Sequence, residues 1–116
     1  MSEQAALIMT TVDSDALAER LAERLLGQRL AACIQEVPIT SRYRWEGAVQ
    51  RERETLLLVK TSAAAVEAAI RAIEAEHDYD VPEVIALPVT GGLPGYLRWL
   101  VEEADGAASP PGTAPG

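Results

Sequence analysis

A pair of long strand-like segments around the turn Glu46-Gly47-Ala48 constrains the fold of this chain more than any other feature. Before the turn, residues 39–45 alternate with a period of two, so that Tyr43 and Trp45 share one face. After the turn, VQRERETLLLVKT is polar at first and then apolar on both faces. Two such strands predict a long hairpin whose charged outer half carries an aromatic face. We expect that face to pack on another subunit.

Three helices are predicted from capping residues and apolar stripes. The first begins at Asp13-Ser14-Asp15, has leucines at every fourth position and ends near Gly27. The second is capped by Ser62 and ends near His77. A short last helix over residues 96–101 follows a loop that contains three glycines.

The remaining apolar runs complete a sheet. Ala5–Val12 and VPEVIALPV predict a first and a fourth strand, and Pro38 predicts a bulge or bend within the second. The order β-α-β-β-α-β is that of an α+β ferredoxin-like fold, with both helices on one face of an antiparallel sheet. Because Ala5–Val12 and Leu56–Val59 are apolar on both faces, we expect homo-oligomerisation to cover the other face.

Composition restricts the partners and the compartment. The net charge of −8 argues against nucleic acid and anionic membranes as partners, and no apolar run approaches the roughly 20 residues of a membrane span. The single cysteine, Cys33, allows no intramolecular disulfide and fits a reducing cytoplasm. The N-terminal MSEQAALIMTTV lacks the basic region of a signal peptide. We predict one domain over residues 1–103 and a disordered Pro/Gly/Ala-rich tail over residues 104–116.

The segment AEHDYDVPE, residues 75–83, is the main candidate for a metal site. It holds the only histidine, His77, between Glu76 and Asp78. Imidazole suits Cu²⁺ and Zn²⁺, and the carboxylates offer additional oxygen ligands. The alternative is a histidine at a helix end, where its positive form interacts favourably with the helix dipole. Both interpretations stay open.

The other reactive or aromatic residues favour structural roles. Cys33 is predicted to be a buried, inert thiol, with a metal ligand as the alternative. As a nucleophile it would need a base, and His77 is the only histidine available. Tyr43, Trp45 and Tyr79 are predicted to seal a subunit interface or to line a cleft between subunits. The run Thr90-Gly91-Gly92 predicts a turn that needs glycine backbone angles, since the sequence has no phosphate-loop motif.

Five segments, in register along residues 7–101, carry a family resemblance. They are LIMTTVDSDALAERLAERLLGQRLAACI, RYRWEG, LLLVKT, HDYDVPEVIALPVTGG and YLRWL. In them the chain resembles the CutA family of divalent-cation tolerance proteins. The resemblance implies a homotrimer similar in form to the P-II signalling proteins, with hairpins that pair across subunit boundaries, and a link to copper tolerance. Thr10 and Glu76 stand where some bacterial members have a cysteine and a histidine, so that ligand set is not carried over.

The sequence therefore predicts a cytoplasmic homotrimer that binds or responds to copper or similar divalent ions. We expect no enzymatic activity and no organic cofactor. Two alternatives remain. One is a P-II-like trimeric signalling module that binds a small metabolite in the cleft between subunits. The other is a structural scaffold trimer without a ligand.

Overall fold

One antiparallel sheet and three α-helices make up the fold, which a computed structural model describes for residues 4–106. The strand order is β2-β3-β1-β4, and all neighbouring strands run antiparallel. This order confirms the predicted α+β ferredoxin-like arrangement. The elements are β1 (Ala5–Val12), α1 (Asp15–Gly27), β2 (Cys33–Trp45), β3 (Ala48–Ser62), a 3₁₀ turn (Ala63–Ala65), α2 (Val66–Glu76), β4 (Val84–Pro88) and α3 (Pro94–Glu103).

The two serines that the sequence predicts as helix caps accept capping hydrogen bonds, Ser14 at α1 and Ser62 at the 3₁₀ turn before α2. The Ser14 hydroxyl accepts a hydrogen bond from the Leu17 amide at 3.1 Å and so caps α1. The Ser62 hydroxyl accepts one from the Ala65 amide at 3.2 Å, and α2 follows after the 3₁₀ turn. At the end of α1, the left-handed conformation is adopted by Arg29, with φ of 57°, and not by the nearby glycine.

The hairpin of β2 and β3 pairs residue by residue from Cys33 opposite Lys60 to Trp45 opposite Ala48. The predicted bulge at Pro38 is therefore wrong for this ladder. β2 is an edge strand, and a proline fits there because an N–H on the outer side of an edge strand has no partner strand to bind. Glu46 and Gly47 form the turn with φ values of 49° and 80°, as a type I′ two-residue hairpin turn requires.

The two faces of the sheet differ in how well the chain covers them. On the face beneath α1 and α2, strand side chains such as Ile8, Leu57 and Val59 have no exposed surface. The alternate residues point to the opposite face, where Ile85 is 50 % exposed. We call this second surface the open face. Its large aliphatic residues are Leu7, Met9, Val37, Ile39, Leu56, Leu58, Ile85 and Leu87.

One end of the open face is covered by α3. This helix begins at Pro94, two residues before its predicted start, because proline suits the first helical position. Its residue Leu100 is buried, and the Ser62 hydroxyl donates a hydrogen bond to the carbonyl of Ala104. The rest of the open face has no cover from residues 4–106.

The predicted boundary between domain and tail at residue 103 lies too early. Ala104 is fully buried, and Arg29 pairs with Asp105 through Nε and Oδ1 at 3.0 Å. The amide of Gly106 donates to the carbonyl of Arg29 at 2.9 Å. The packed structure thus includes residues 104–106, while the rest of the predicted tail lies outside the described residues. No helix within residues 4–106 is long and apolar enough to cross a membrane.

Candidate functional site

His77 lies directly after α2, and both nitrogens of its ring are engaged. Nε2 is 2.7 Å from the backbone carbonyl oxygen of Thr11, and Nδ1 accepts a hydrogen bond from the Tyr79 amide at 3.2 Å. Because a carbonyl only accepts, we assign the ring proton to Nε2. β4 pairs with β1 only as far as Thr10 opposite Val84, so the imidazole takes the place of a strand partner at Thr11.

The predicted carboxylate ligands beside His77 face arginines of α1. Arg24 Nη1 is 3.2 Å from Glu76 Oε2, and Arg20 Nε is 3.7 Å from Glu76 Oε1. Arg20 Nη2 also lies 3.9 Å from Asp78 Oδ1. These pairs are partly exposed and contribute at most about 1 kcal/mol each, but they balance the charge of both carboxylates.

The structure does not bring the predicted metal residues together as one site. Within residues 4–106, no three or more His, Cys, Asp or Glu side chains are placed to hold a metal ion. His77, Glu76 and Asp78 are neighbours in sequence, but the two carboxylates face arginines of α1, whereas His77 binds the backbone of Thr11 and Tyr79. Thr10, at the position of the family's cysteine, is buried under the helices, where its hydroxyl has no hydrogen-bond partner among the described residues.

Tyr79 connects this segment to the hairpin. Its ring packs on His77, with 4.6 Å between ring centroids, and its hydroxyl donates to Glu54 Oε2 at 2.7 Å. Burial, followed by the hydrogen bond to Glu54 and the nearby negative charges, raises the pKa of Tyr79. We call His77, Thr11, Tyr79 and Glu54 the His77 clasp. The sequence predicted an interface role for Tyr79, but it gave no sign of these partners.

The predicted aromatic face of the hairpin is present and exposed. Tyr43 and Trp45 lie on the same side of the sheet as the open face and are 38 % and 48 % exposed. The Tyr43 hydroxyl donates a hydrogen bond to Glu52. That bond, followed by desolvation and the charges of Glu52 and Glu54, raises the pKa of Tyr43 to about 12. Aromatic rings and carboxylates therefore alternate along one surface.

Cys33 is half-buried and free, whereas the sequence predicted a buried thiol. It starts β2, an edge strand, so its side chain has neighbours on fewer sides. Cys33 pairs with Lys60, whereas His77 contacts Thr11, which pairs with Leu56. Four residues along a strand separate these positions by about 13 Å. The thiol and the imidazole therefore do not form a nucleophile–base pair.

The glycine loop before α3 serves packing. Gly92 has no positive φ, so the predicted need for glycine backbone angles is wrong there. A Cβ atom on Gly92 would lie 3.2 Å from the Leu97 side chain, which is tighter than ordinary contact. Beyond the loop, the rings of Tyr96 and Trp99 have centroids 5.6 Å apart, and Lys60 Nζ lies 5.7 Å from the Tyr96 ring.

Comparison with known proteins gives a consistent family relationship. The family model described as CutA1 divalent ion tolerance protein matches residues 6–103. The divalent-cation tolerance protein CutA of Thermus thermophilus is 44 % identical over 97 residues, which cover 83 % of this chain and 94 % of that protein. The chloroplastic protein CutA of Arabidopsis thaliana is 45 % identical over 95 residues, or 81 % of this chain and 52 % of that protein. The chain thus spans about half the length of such plant relatives.

Solved structures agree in fold. The CutA1 structure from Thermus thermophilus is similar with a TM-score of 0.82 and 43 % identity, over 85 % of this chain and 97 % of that one. CutA from Xylella fastidiosa gives a TM-score of 0.84 and 42 % identity, over 87 % of this chain and 98 % of that one. The periplasmic divalent cation tolerance protein CutA from Archaeoglobus fulgidus gives 0.83 and 35 %, over 86 % and 98 %.

Proposed function

This chain belongs to the CutA1 family of divalent ion tolerance proteins, and we propose from that membership that it acts in divalent-cation tolerance as a homotrimer. The match over residues 6–103 carries the proposal. The action is binding of copper or a similar ion, without an organic cofactor and without an enzymatic reaction. We further propose that the protein works in the cytoplasm and engages neither nucleic acid nor membrane.

The open face supports the trimer. Leu87 on β4 is 41 % exposed, and Val37 on β2 is 38 % exposed, at opposite edges of the same surface. At the hairpin end, Tyr43 and Trp45 lie on the same side and are 38 % and 48 % exposed. A contiguous apolar surface of this kind is typical of protein–protein interfaces. Neighbouring copies of the chain would remove it from water.

A cation site at the boundary between subunits agrees better with this geometry than a site within one chain. Glu52 and Glu54 lie on the same side of β3 as the open face, where a neighbouring subunit would approach. We propose that these carboxylates, together with His77, supply ligands for Cu²⁺ or Zn²⁺ once subunits assemble. Ligation by Nδ1 of His77 requires the ring to release the Tyr79 amide.

Calorimetric titration of Cu²⁺ into the full chain tests this proposal. We expect saturable binding with a fixed stoichiometry per subunit, weakened at least about tenfold by His77→Ala and by Glu54→Gln, because each removes a ligand. Glu67→Gln serves as the matched control, since Glu67 is exposed on α2 and makes no ion pair among the described residues. Weak binding that all three variants change equally would contradict the proposal and indicate general attraction to carboxylates.

The His77 clasp favours a second candidate, a scaffold trimer in which His77 is structural. Both ring nitrogens already have partners, so the histidine has a role without a metal. In that case the melting temperature stays constant over a panel of divalent ions, while His77→Ala lowers it without any added ion. A melting temperature that rises with one ion, and only when His77 is present, would favour the cation-binding candidate.

A further inference from the structure

A cavity of about 260 Å³ lies between α1 and α2, on the helical side of the molecule and away from the open face. Two arginines and a glutamine provide its polar lining, and small or aliphatic residues provide an apolar lining. We call it the arginine cavity; its lining includes Arg24, Gln28, Leu30, Ala68, Arg71 and Ala72. None of these residues belongs to the His77 clasp or to the surface proposed for subunit contacts.

The two arginines have unused hydrogen-bonding capacity. Arg71 makes no ion pair within residues 4–106. Arg24 binds Glu76 through Nη1, while its Nε–H is buried and has no hydrogen-bond partner among the described residues. A buried donor without an acceptor costs about 1–3 kcal/mol, so a group that supplies an acceptor there is stabilising.

Ion pairs engage only two of the three arginines near the cavity, although Glu67 and Glu74 lie one turn from Arg71 on α2. Around the cavity, Arg20, Arg24 and Arg71 face only two paired carboxylates, those of Glu76 and Asp78. One arginine charge is therefore left without a partner among the described residues. An arginine fork with free donors is suited to the planar edge of a carboxylate or to two oxygens of a phosphate.

We propose that the arginine cavity binds a small oxyanion, a phosphate group or a carboxylate, carried on a short apolar body. The guanidinium groups of Arg24 and Arg71 hold the oxygens, Gln28 adds an amide donor, and Ala68 and Ala72 contact the apolar part. The Arg24 side chain lines the cavity and is 34 % exposed, so a ligand reaches its guanidinium group there, whereas the buried Nε–H gains an acceptor only after the side chain turns. The site is independent of the proposed cation-tolerance role and stays accessible in an assembly built on the open face.

Nuclear magnetic resonance of arginine Nε–H groups tests this directly. The full chain is titrated with inorganic phosphate and, in a second arm, with butyrate, at constant ionic strength. We expect a saturable shift of the Arg24 Nε–H signal in at least one arm. Saturation with phosphate alone assigns a phosphate group, and saturation with butyrate alone assigns a carboxylate. A flat Arg24 signal in both arms, or a linear drift shared by all exposed arginines, would overturn the proposal.

Two variants separate the site from general charge effects. Arg71→Gln removes one charged donor and should weaken binding about tenfold, whereas Arg98→Gln, on exposed α3, should change it less than about twofold. Ala68→Leu fills the cavity without altering charge and should abolish the saturable shift; a melting curve establishes that it folds. Equal effects of the two arginine variants, or unchanged binding in folded Ala68→Leu, would reject the cavity as the site.

Discussion

The covered face and the open face of the sheet are built from the same strands but differ in how far the chain itself buries them. Val59 and its neighbour Leu58 are both apolar, yet Val59 has no exposed surface under the helices, whereas Leu58 remains half-buried on the other side. The covered face therefore forms the core of the single chain. The open face places similar side chains where a single chain leaves them partly in water, so its apolar residues are explained by assembly rather than by the fold.

The largest expected effect is the difference in stability loss between alanine variants of Leu57 and Leu58, which are adjacent in β3 and point to opposite faces. Leu57→Ala leaves a cavity in the core and should lower the free energy of unfolding by about 2–5 kcal/mol at any protein concentration. Leu58→Ala should act mainly on assembly, so its destabilisation should depend on protein concentration. Urea unfolding over a range of concentrations measures both. Equal, concentration-independent losses would remove the distinction between the faces.

The His77 clasp should give the next largest effect, since it ties the segment after α2 to the end of β1. His77→Ala leaves the carbonyl of buried Thr11 without its hydrogen-bond partner, which should cost about 1–3 kcal/mol of unfolding free energy. Glu74→Ala, on the exposed side of α2, is the control and should change the free energy of unfolding by less than about 0.5 kcal/mol. Denaturation in the absence of divalent ions measures this. If the two variants behave alike, the clasp does not stabilise the fold.

The smallest effect concerns the tyrosines near the hairpin carboxylates. The pKa of Tyr43 is raised to about 12 and that of Tyr79 is also raised, compared with about 10 in an unfolded chain. As the pH rises above 10, the unfolded state therefore loses these protons before the folded state does. The stability that the two tyrosines contribute is complete below pH 10 and declines above it. Unfolding free energy measured between pH 9 and pH 12 should fall less steeply in Tyr79→Phe than in the unaltered chain. Equal slopes for the variant and the unaltered chain would show that deprotonation of Tyr79 is not linked to folding.

Local patterns were sufficient for most of the fold. Ser14 and Ser62 identified the helix starts because capping depends on neighbours within three residues. The strict alternation of the hairpin likewise predicts that Tyr43 and Trp45 share one face, as they do. Pro38 was misjudged because its tolerance depends on β2 being an edge strand, which is a property of the whole sheet.

The candidate site depended on contacts that no local pattern contains. His77 was identified as a special residue, but its partner is a backbone carbonyl 66 positions earlier, and every residue has such a carbonyl. The sequence predicts Glu76 and Asp78 as metal ligands, whereas in the fold Arg20 and Arg24 of α1 lie beside them. The segment is therefore recognisable from the sequence, whereas the partners of its side chains depend on the fold.

The mass of the full chain in solution tests the central claim that the open face is a subunit interface. Light scattering during size-exclusion chromatography, at several concentrations and without added metal, is the measurement. We expect a particle of three times 12.4 kDa, and a shift towards 12.4 kDa for Leu58→Asp, which places a charge on the open face. A mass of 12.4 kDa for the unaltered chain at every concentration would contradict it.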